Sequence, residues 1–400
     1  MLLRVLTAIA CCSLACSSLK IMTFNIWLSG REVKDGLEKI ANHIRRVDPD
    51  IVALQEVEAP DVVANLTAYL GKGWQGVHHC NSTYPDTGII TKHTIVPGTY
   101  THVDYGMSVK IQLDAERQVS FWSLHLDYRS YGPYAAYNKL VTSADQIMAG
   151  EYPRSTVGRV QNMIELVTSQ AFKTQISKSN IVPVIVAGDF NTPSHLDWTE
   201  ANAKEHGGWA FPWPSTLILT NTSGLIDSFR QLYPNPVTDP GVTWSTVNKF
   251  NSEWDYTIPE PTDRIDFIFY RGPLKPIESG PYAGEDVLTP IPHQWNNDYP
   301  SDHFAFVTTF EDTPPSNDPV EEMKPVDPRF LVRQPKDAHR LPFAICTPEL
   351  YEGQEIEPRL GVRPNTMWPI DENEIEEVRP AEPRRKRIHV HKSLKEVTLN

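Results

Sequence analysis

The chain has no apolar run long enough to cross a bilayer. Its longest, residues 5–15, falls well short of the roughly 20 residues that a spanning helix requires. Cysteine is scarce, with five in 400 residues, and three of them (Cys11, Cys12 and Cys16) crowd into the first 17. Only Cys80 and Cys346 lie beyond that point, so a small disulfide scaffold is excluded and at most one intramolecular bridge is expected. Basic charge is also short. Lys and Arg number 37 against 50 Asp and Glu, a net charge of −13, which argues against a protein that grips long nucleic acid along a broad basic face. Glycine (21) is outnumbered by proline (34), so a collagen-like polymer is excluded as well.

What is present suits a globular protein. Hydrophobic residues make up 40 % of the chain and aromatics 10 %, enough to fill the core of one large domain or two ordinary ones. Residues 1–17 carry a single Arg, an apolar stretch and then small residues, with Ala15 and Ser17 placed for cleavage near Ser18. That is the layout of a secretory signal peptide, and a secreted, extracellular protein is expected. Acceptor triplets at Asn65, Asn81 and Asn221 fit glycosylation on that route. Residues 313–400 differ in character. They hold 13 prolines in 88 residues, show no apolar periodicity, set 14 basic against 16 acidic side chains, and carry a basic run at 384–387. They read as a Pro-rich, charged, mostly irregular tail, with local packing on the main domain left open, behind a body at 18–312 that carries most of the negative charge.

Within the body, short apolar segments of strand composition alternate with amphipathic stripes. Strands are expected near 20–26, 51–54, 89–91, 108–113, 119–126, 182–187, 265–270 and 304–310. Val33, Leu37, Ile40, Ile44 and Val47 recur at helical spacing, as do Val157, Val160, Ile164, Val167 and Ala171. The strands between 89 and 126 follow one another without a helix, which implies antiparallel pairing. The mixture predicts a sheet-rich α/β sandwich with helices outside.

Polar residues stand where these apolar strands stop. Asn25 follows Ile21-Met-Thr-Phe24, and Gln55-Glu56 follows Ile51-Val-Ala-Leu54. His125 lies in Ser123-Leu-His-Leu126, and Asp189 and Asn191 follow Val184-Ile-Val-Ala187. Asp266 interrupts an apolar run, and Asp302-His303 precedes Phe304-Ala-Phe306. Burying unpaired carboxylates or imidazoles is costly, so these groups should meet one another, a metal or a ligand. Carboxylates, Asn and His without Cys supply the hard oxygen donors that suit Mg²⁺ or Mn²⁺, together with groups able to move protons. A structural alternative pairs Asp266 with Arg264 and lets Asn25 cap a turn.

Six blocks in order resemble the metal-dependent endonuclease/exonuclease/phosphatase superfamily, with its deoxyribonuclease-I-like fold. They are Thr23-Phe-Asn-Ile-Trp27, Leu54-Gln-Glu-Val57, Ser123-Leu-His-Leu126, Gly188-Asp-Phe-Asn191, Asp263-Arg-Ile-Asp-Phe267 and Ser301-Asp-His-Phe304, spanning about 20–310. The resemblance implies a four-layer α/β/β/α sandwich of two mixed, largely antiparallel sheets, and Mg²⁺ (or Mn²⁺) as cofactor. It implies Glu56 as the principal metal carboxylate, supported by Asn25 and Asp302. It makes His303 the base or orienting group for the attacking water with Asp266 as its carboxylate partner. Asp189 then positions water or handles a proton, Asn191 holds a phosphate oxygen, and His125 donates to a non-bridging oxygen.

The His125 block resembles the secreted nucleases, sphingomyelinases, inositol phosphatases and deadenylases; the superfamily's apurinic-site repair enzymes carry Tyr there. Pro261-Thr262 stands where inositol 5-phosphatases carry Trp-Cys. Specificity is expected from loops 128–134 and 295–299 and from segment 193–214 with Trp198, Trp209 and Trp213. Arg129 and Tyr131 are the candidate substrate contacts, and the aromatic loops offer contact with a membrane surface; the alternatives are a plain surface charge at Arg129 and loop aromatics that cover the edges of the core. The expected activity is phosphodiester hydrolysis on a lipid headgroup or small phosphodiester, without a stable nucleic-acid complex. A secreted nuclease is the first alternative and a phosphomonoesterase the next. A secreted binding protein that kept the fold and lost catalysis is the non-enzyme alternative.

Overall fold

Alternate residues of the first strand, β1 (Ser18–Asn25), belong to different cores. Leu19 and Ile21 face a second sheet, whereas Met22 and Phe24 face helices. A strand covered on both faces in this way reads as a nearly continuous apolar run, which is how β1 appears in the sequence. The computed structural model describes residues 18–80, 83–152, 157–315, 319–331 and 350–353. The described residues all lie within a compact unit spanning Met1–Ile356. Residues 1–17, expected to be a signal peptide, fall outside the described residues, as do Asn81, Cys346 and the basic run at 384–387.

The further strands are β2 (Ile51–Val57), β3 (Gln75–His78), β4 (Asp86–Thr91), β5 (Thr94–Ile95), β6 (Thr101–Val103), β7 (Gly106–Gln112), β8 (Gln118–His125), β9 (Val184–Asp189), β10 (Ile226–Asp227), β11 (Asp266–Arg271), β12 (Leu274–Tyr282), β13 (Ala305–Asp312) and β14 (Tyr351–Glu352). One sheet has the order β12-β13-β1-β2-β4-β3-β14. The other has the order β10-β11-β9-β8-β7-β5, with β6 also on β7. Each sheet contains one parallel pair among antiparallel neighbours, β1 with β2 and β8 with β9. The strands between 89 and 126 do pair antiparallel within each sheet, but they do not form one meander: β4 belongs to the first sheet and β5–β8 to the second.

The helices are α1 (Gly36–Val47), α2 (Asp61–Leu70), α3 (Gly132–Tyr137), α4 (Ala144–Glu151), α5 (Arg159–Thr168), α6 (Gln170–Ile176), α7 (Pro214–Ser223), α8 (Ser228–Leu232) and α9 (Pro328–Leu331). Ile40 and Ile44 of α1 and Val63 and Leu66 of α2 cover the outer face of the first sheet. Val160, Met163 and Val167 of α5, Phe172 of α6 and Leu219 of α7 cover the outer face of the second. Ile21, Ile51, Ile89, Phe121, Ile185 and Ile268 interdigitate between the sheets. The result is a four-layer α/β/β/α sandwich. The stripe at 157–171 is two helices rather than one. Ser169 leaves helical geometry and its hydroxyl accepts from the Phe172 amide, capping α6.

The folded body does not end at residue 312. Val326 and Phe330 enter the core beside α5 and α7, and β14 adds a strand to β3, with Tyr351 opposite Gly76. Cys80, two residues beyond β3, is disulfide-bonded. No other described residue is a cysteine, so its partner lies outside the described residues.

Candidate active site

The two parallel strand pairs, one in each sheet, end at the same edge of the sandwich. Asn25 ends β1 opposite Gln55 of β2, and His125 ends β8 opposite Asp189 of β9. Antiparallel neighbours bring their opposite ends to that edge. Asp266 opens β11 opposite Asp189, and Asp302-His303 immediately precedes β13, which runs antiparallel to β1.

Local backbone distortions then aim the side chains. Glu56 sits in a bulge between β2 and β4 with φ 63°, in the left-handed region. Asp86, at the facing end of β4, has φ 63°, and Asn191 has φ 49°. Such conformations cost a non-glycine residue of order 1–3 kcal/mol and concentrate at functional sites. Gly188 has φ 156°, and a Cβ there would overlap the Leu124 carbonyl oxygen of the adjacent strand. Glycine is therefore required directly before Asp189.

The side chains converge. Asn25 Nδ2 lies 3.0 Å from Glu56 Oε1, 3.1 Å from Asp189 Oδ2 and 3.3 Å from His303 Nε2. Its amide oxygen accepts from the Trp27 amide at 3.0 Å, so Asn25 serves as a donor linking two carboxylates. The Leu28 amide donates to Glu56 Oε2 at 2.6 Å. Asp266 Oδ2 accepts from His303 Nδ1 at 2.9 Å, and Asp86 Oδ1 accepts from His125 Nδ1 at 2.9 Å. Both imidazoles consequently turn Nε2 toward one atom, Asp189 Oδ2, each at 3.6 Å. Asp189 Oδ1 accepts from the Asn191 amide at 2.8 Å, while Asn191 Nδ2 donates to Leu126 O at 3.0 Å.

The electrostatics follow from five carboxylates facing two imidazoles in a buried edge. Burial alone would lower the pKa of both imidazoles. Asp266 and Asp189 outweigh it at His303, and Asp86 and Asp189 outweigh it at His125, holding each at about 10. Burial raises Asp189 above the usual carboxylate range despite the neighbouring His303. Burial, reinforced by the charge of Glu56, does the same at Asp302.

Two buried carboxylate oxygens, Asp302 Oδ1 and Asp266 Oδ1, have no hydrogen-bond partner. An unpartnered buried anionic oxygen is costly, and the surplus of negative charge is what a cation would offset. Asp189, Asp266 and His303 also bring ligand atoms within 4.8 Å of one another. The hydrogen bond between Asp266 and His303 and the raised pKa of that imidazole, however, suit the trio to handling a proton, which leaves the carboxylates of Glu56 and Asp302 as donors for a cation. The donor set fits a hard divalent cation.

Other sequence expectations are resolved differently. Arg264 does not pair with Asp266; it bridges Asp197 and Asp227 at 2.9 and 2.7 Å. Arg129 is exposed beside the His125 block, stacked 5.2 Å over the Tyr128 ring. Tyr131 is half-buried and its hydroxyl donates to Asp263 at 3.1 Å, so it anchors the loop instead of presenting its hydroxyl to substrate. Trp198 and Trp213 are 2 % and 0 % exposed, and Trp209 packs against their cluster; these rings form a satellite core. The exposed aromatic tips are Tyr128 in loop 128–134 and Trp295 in loop 295–299.

Asp86 was missed by sequence reasoning. It lies in Tyr84-Pro-Asp-Thr87, which reads as a turn, and it belongs to none of the six motif blocks. Only the antiparallel pairing of β4 with β2 brings it to the functional edge. Asn248, whose amide donates to Asp302 Oδ2 at 3.2 Å, gave no signal either.

Fold and site together define a deoxyribonuclease-I-like phosphoester hydrolase. The chain belongs to the Endonuclease/Exonuclease/phosphatase family, whose model matches residues 22–303. It is 53 % identical over 289 residues to Uncharacterized protein F14F9.5 of Caenorhabditis elegans, covering 72 % of this chain and 90 % of that one. Among solved structures it is similar to the human Nocturnin catalytic domain with bound sulfate, at 19 % identity and TM-score 0.45, covering 74 % of this chain and 95 % of that one. It is also similar to truncated Caenorhabditis elegans TDP2, at 17 % identity and TM-score 0.44, covering 74 % and 98 %.

Proposed function

We propose that the protein is a secreted, Mg²⁺- or Mn²⁺-dependent phosphodiesterase acting on a lipid headgroup or small phosphodiester. The observation that carries the hydrolytic reading is the aim of two imidazoles, one from each side of the edge, at a single Asp189 oxygen. Glu56 and Asp302 are the residues that would hold the cation, and when bound it supplies charge neutralisation at the phosphate. Asp189, fixed by Asn25 and the Asn191 amide, accepts the proton of the attacking water. His303 and His125, each held at Nδ1 by a carboxylate, donate through Nε2 to phosphoryl oxygens as negative charge develops. Asn191 steadies a phosphate oxygen beside them.

The acidic balance, net −13, favours a small or lipid phosphodiester over long nucleic acid, whose binding depends on basic contacts. The secretory layout of residues 1–17 and the disulfide at Cys80 support passage through an oxidising compartment. Tyr128 and Trp295 support contact with a lipid surface. The test is a panel of sphingomyelin vesicles, phosphoinositides, plasmid DNA and bis-p-nitrophenyl phosphate with Mg²⁺, Mn²⁺ or EDTA. Hydrolysis of a lipid or small diester is expected, abolished by EDTA and by Glu56→Ala or His303→Ala. Preferential cleavage of plasmid DNA would replace this reading with the nuclease one.

A further inference from the structure

Arg159 is fully buried, yet it makes no contact with the cluster of acids and imidazoles. All five of its N–H donors are used. Nε donates to Glu151 Oε1 at 2.9 Å, in an ion pair with no exposed surface on either partner. Nη1 donates to the carbonyls of Asp127 and Arg129 at 2.8 and 2.7 Å. Nη2 donates to those of Ser130 and Gly150 at 3.1 and 2.9 Å. One guanidinium thus captures three carbonyls of a single short loop, 127–130, which begins two residues after His125.

The rest of that loop is tied down as well. The Asp127 carboxylate accepts from the Arg129 and Gly158 amides, both at 3.1 Å, and the Asp127 amide donates to Asn162 Oδ1 at 3.0 Å. At the far end the Tyr131 hydroxyl donates to Asp263, whose other oxygen accepts from Trp198 Nε1 at 2.8 Å. Ser130 is held at φ 56°. Tyr128, 59 % exposed, Arg129 and the small Ser130 are exposed on the anchored backbone, and of these Arg129 alone carries a charge. Ordering a loop this completely, with a buried ion pair beneath an exposed guanidinium, is what a preorganised binding arm requires.

We propose that Arg159 is the positioning residue of a rigid substrate arm, 127–131, whose tip residue Arg129 contacts an anionic oxygen of the substrate on the His125 side of the cleft. The proposal rests on the phosphodiesterase reading. A lysine at 159 would keep the charge but lose the planar fork that reaches several carbonyls at once.

The test compares Arg159→Lys, Arg129→Ala and the double variant for hydrolysis of bis-p-nitrophenyl phosphate with Mg²⁺, alongside limited trypsin digestion of the full chain. Arg129→Ala is expected to raise KM about 10-fold with kcat within about 2-fold, because the contact is equally strong in ground and transition states. Arg159→Lys should give the same split and expose the Arg129–Ser130 bond to trypsin, which leaves it intact in the wild type. The double variant should be no worse than Arg129→Ala, since the two residues act through one contact. An unchanged KM, an arm that stays uncut, or effects that multiply would each overturn the assignment. Should Arg159→Lys fail to fold, Tyr131→Phe frees the opposite anchor by removing one hydroxyl, and the same KM rise and cleavage are required of it. A wild type that hydrolyses no phosphodiester overturns the hydrolase reading and the substrate role of the arm, while the tryptic pattern still judges the positioning role of Arg159.

Discussion

Three acidic or amide side chains at the catalytic edge, Glu56, Asp86 and Asn191, occupy left-handed backbone conformations. Each conformation turns a side chain out of the regular strand direction and into the cleft, so local strain is exchanged for aim. Asp86 illustrates the consequence at one atom: its carboxylate holds His125 Nδ1 and thereby directs Nε2. Asp86→Asn is expected to lower kcat by about 10²-fold or more and also to lower the unfolding midpoint at neutral pH, because the buried His125 imidazolium loses its paired charge, as measured by steady-state kinetics and thermal melting. Gly188 answers to packing rather than aim. Gly188→Ala pushes a methyl group into the β8 backbone and should cost about 3 kcal/mol or more in urea unfolding; a variant as stable as wild type would contradict the close approach.

At the scale of elements, the segment leading into β11 is bolted down by charge. Arg264 is buried between Asp197 and Asp227, and Arg230 shares Asp197 at 2.7 Å. Arg264→Ala leaves two buried carboxylates short of a partner, with an expected loss of about 3–5 kcal/mol in chemical denaturation. Neighbouring Asp263 behaves differently. Burial raises its carboxyl to about 7, although Trp198 and Tyr131 donate to it. The folded state therefore holds this proton more tightly than the unfolded chain, where the usual value is 3.8. Its contribution to stability is full below about pH 4 and is lost as pH rises through about 7, at up to about 1.4 kcal/mol per pH unit. Asp263→Asn should flatten that fall when urea midpoints are compared at pH 5 and 7.5; parallel pH profiles would contradict it.

Eight of the fourteen described strands were legible in the sequence as apolar runs; β3, β5, β6, β10, β12 and β14 were not, because they are short or, like β12 with its Pro276 and Pro281, carry no continuous apolar run. The six motif blocks were legible because each puts a polar group at the end of such a run. Asp86 was not, because it belongs to none of those blocks and stands in a Tyr84-Pro-Asp-Thr87 stretch that reads as a turn, and its relevance depends on antiparallel pairing across the sheet. For Tyr131, Trp198 and Trp213 the loop setting left two readings open, contact with substrate or membrane and cover for the edges of the core. Burial beneath the loops, which no local pattern encodes, turned them into anchors and core.

For the whole molecule, the chain beyond residue 312 shows how local packing of an irregular tail is achieved. The Pro-rich composition hides a strand, β14, that extends the first sheet, and two apolar residues, Val326 and Phe330, that reach the second core. The disulfide at Cys80 sits beside that added edge. Cys80→Ser is expected to destabilise the protein by about 2–4 kcal/mol, and dithiothreitol should reproduce the loss in the wild type but add nothing in the variant, read by thermal melting.

The amino-acid sequence by itself determined the layering of the fold, since apolar runs and helical stripes leave few ways to bury both, and it determined which polar groups stand at strand ends. Tertiary structure alone decided that two parallel pairs from different sheets finish at one edge, that Asp86 completes the second imidazole pair, and that Arg159 holds the arm beside it. Those relations join residues far apart in the chain through strand direction and sheet packing. Such long-range geometry comes into being only when the sheets have met.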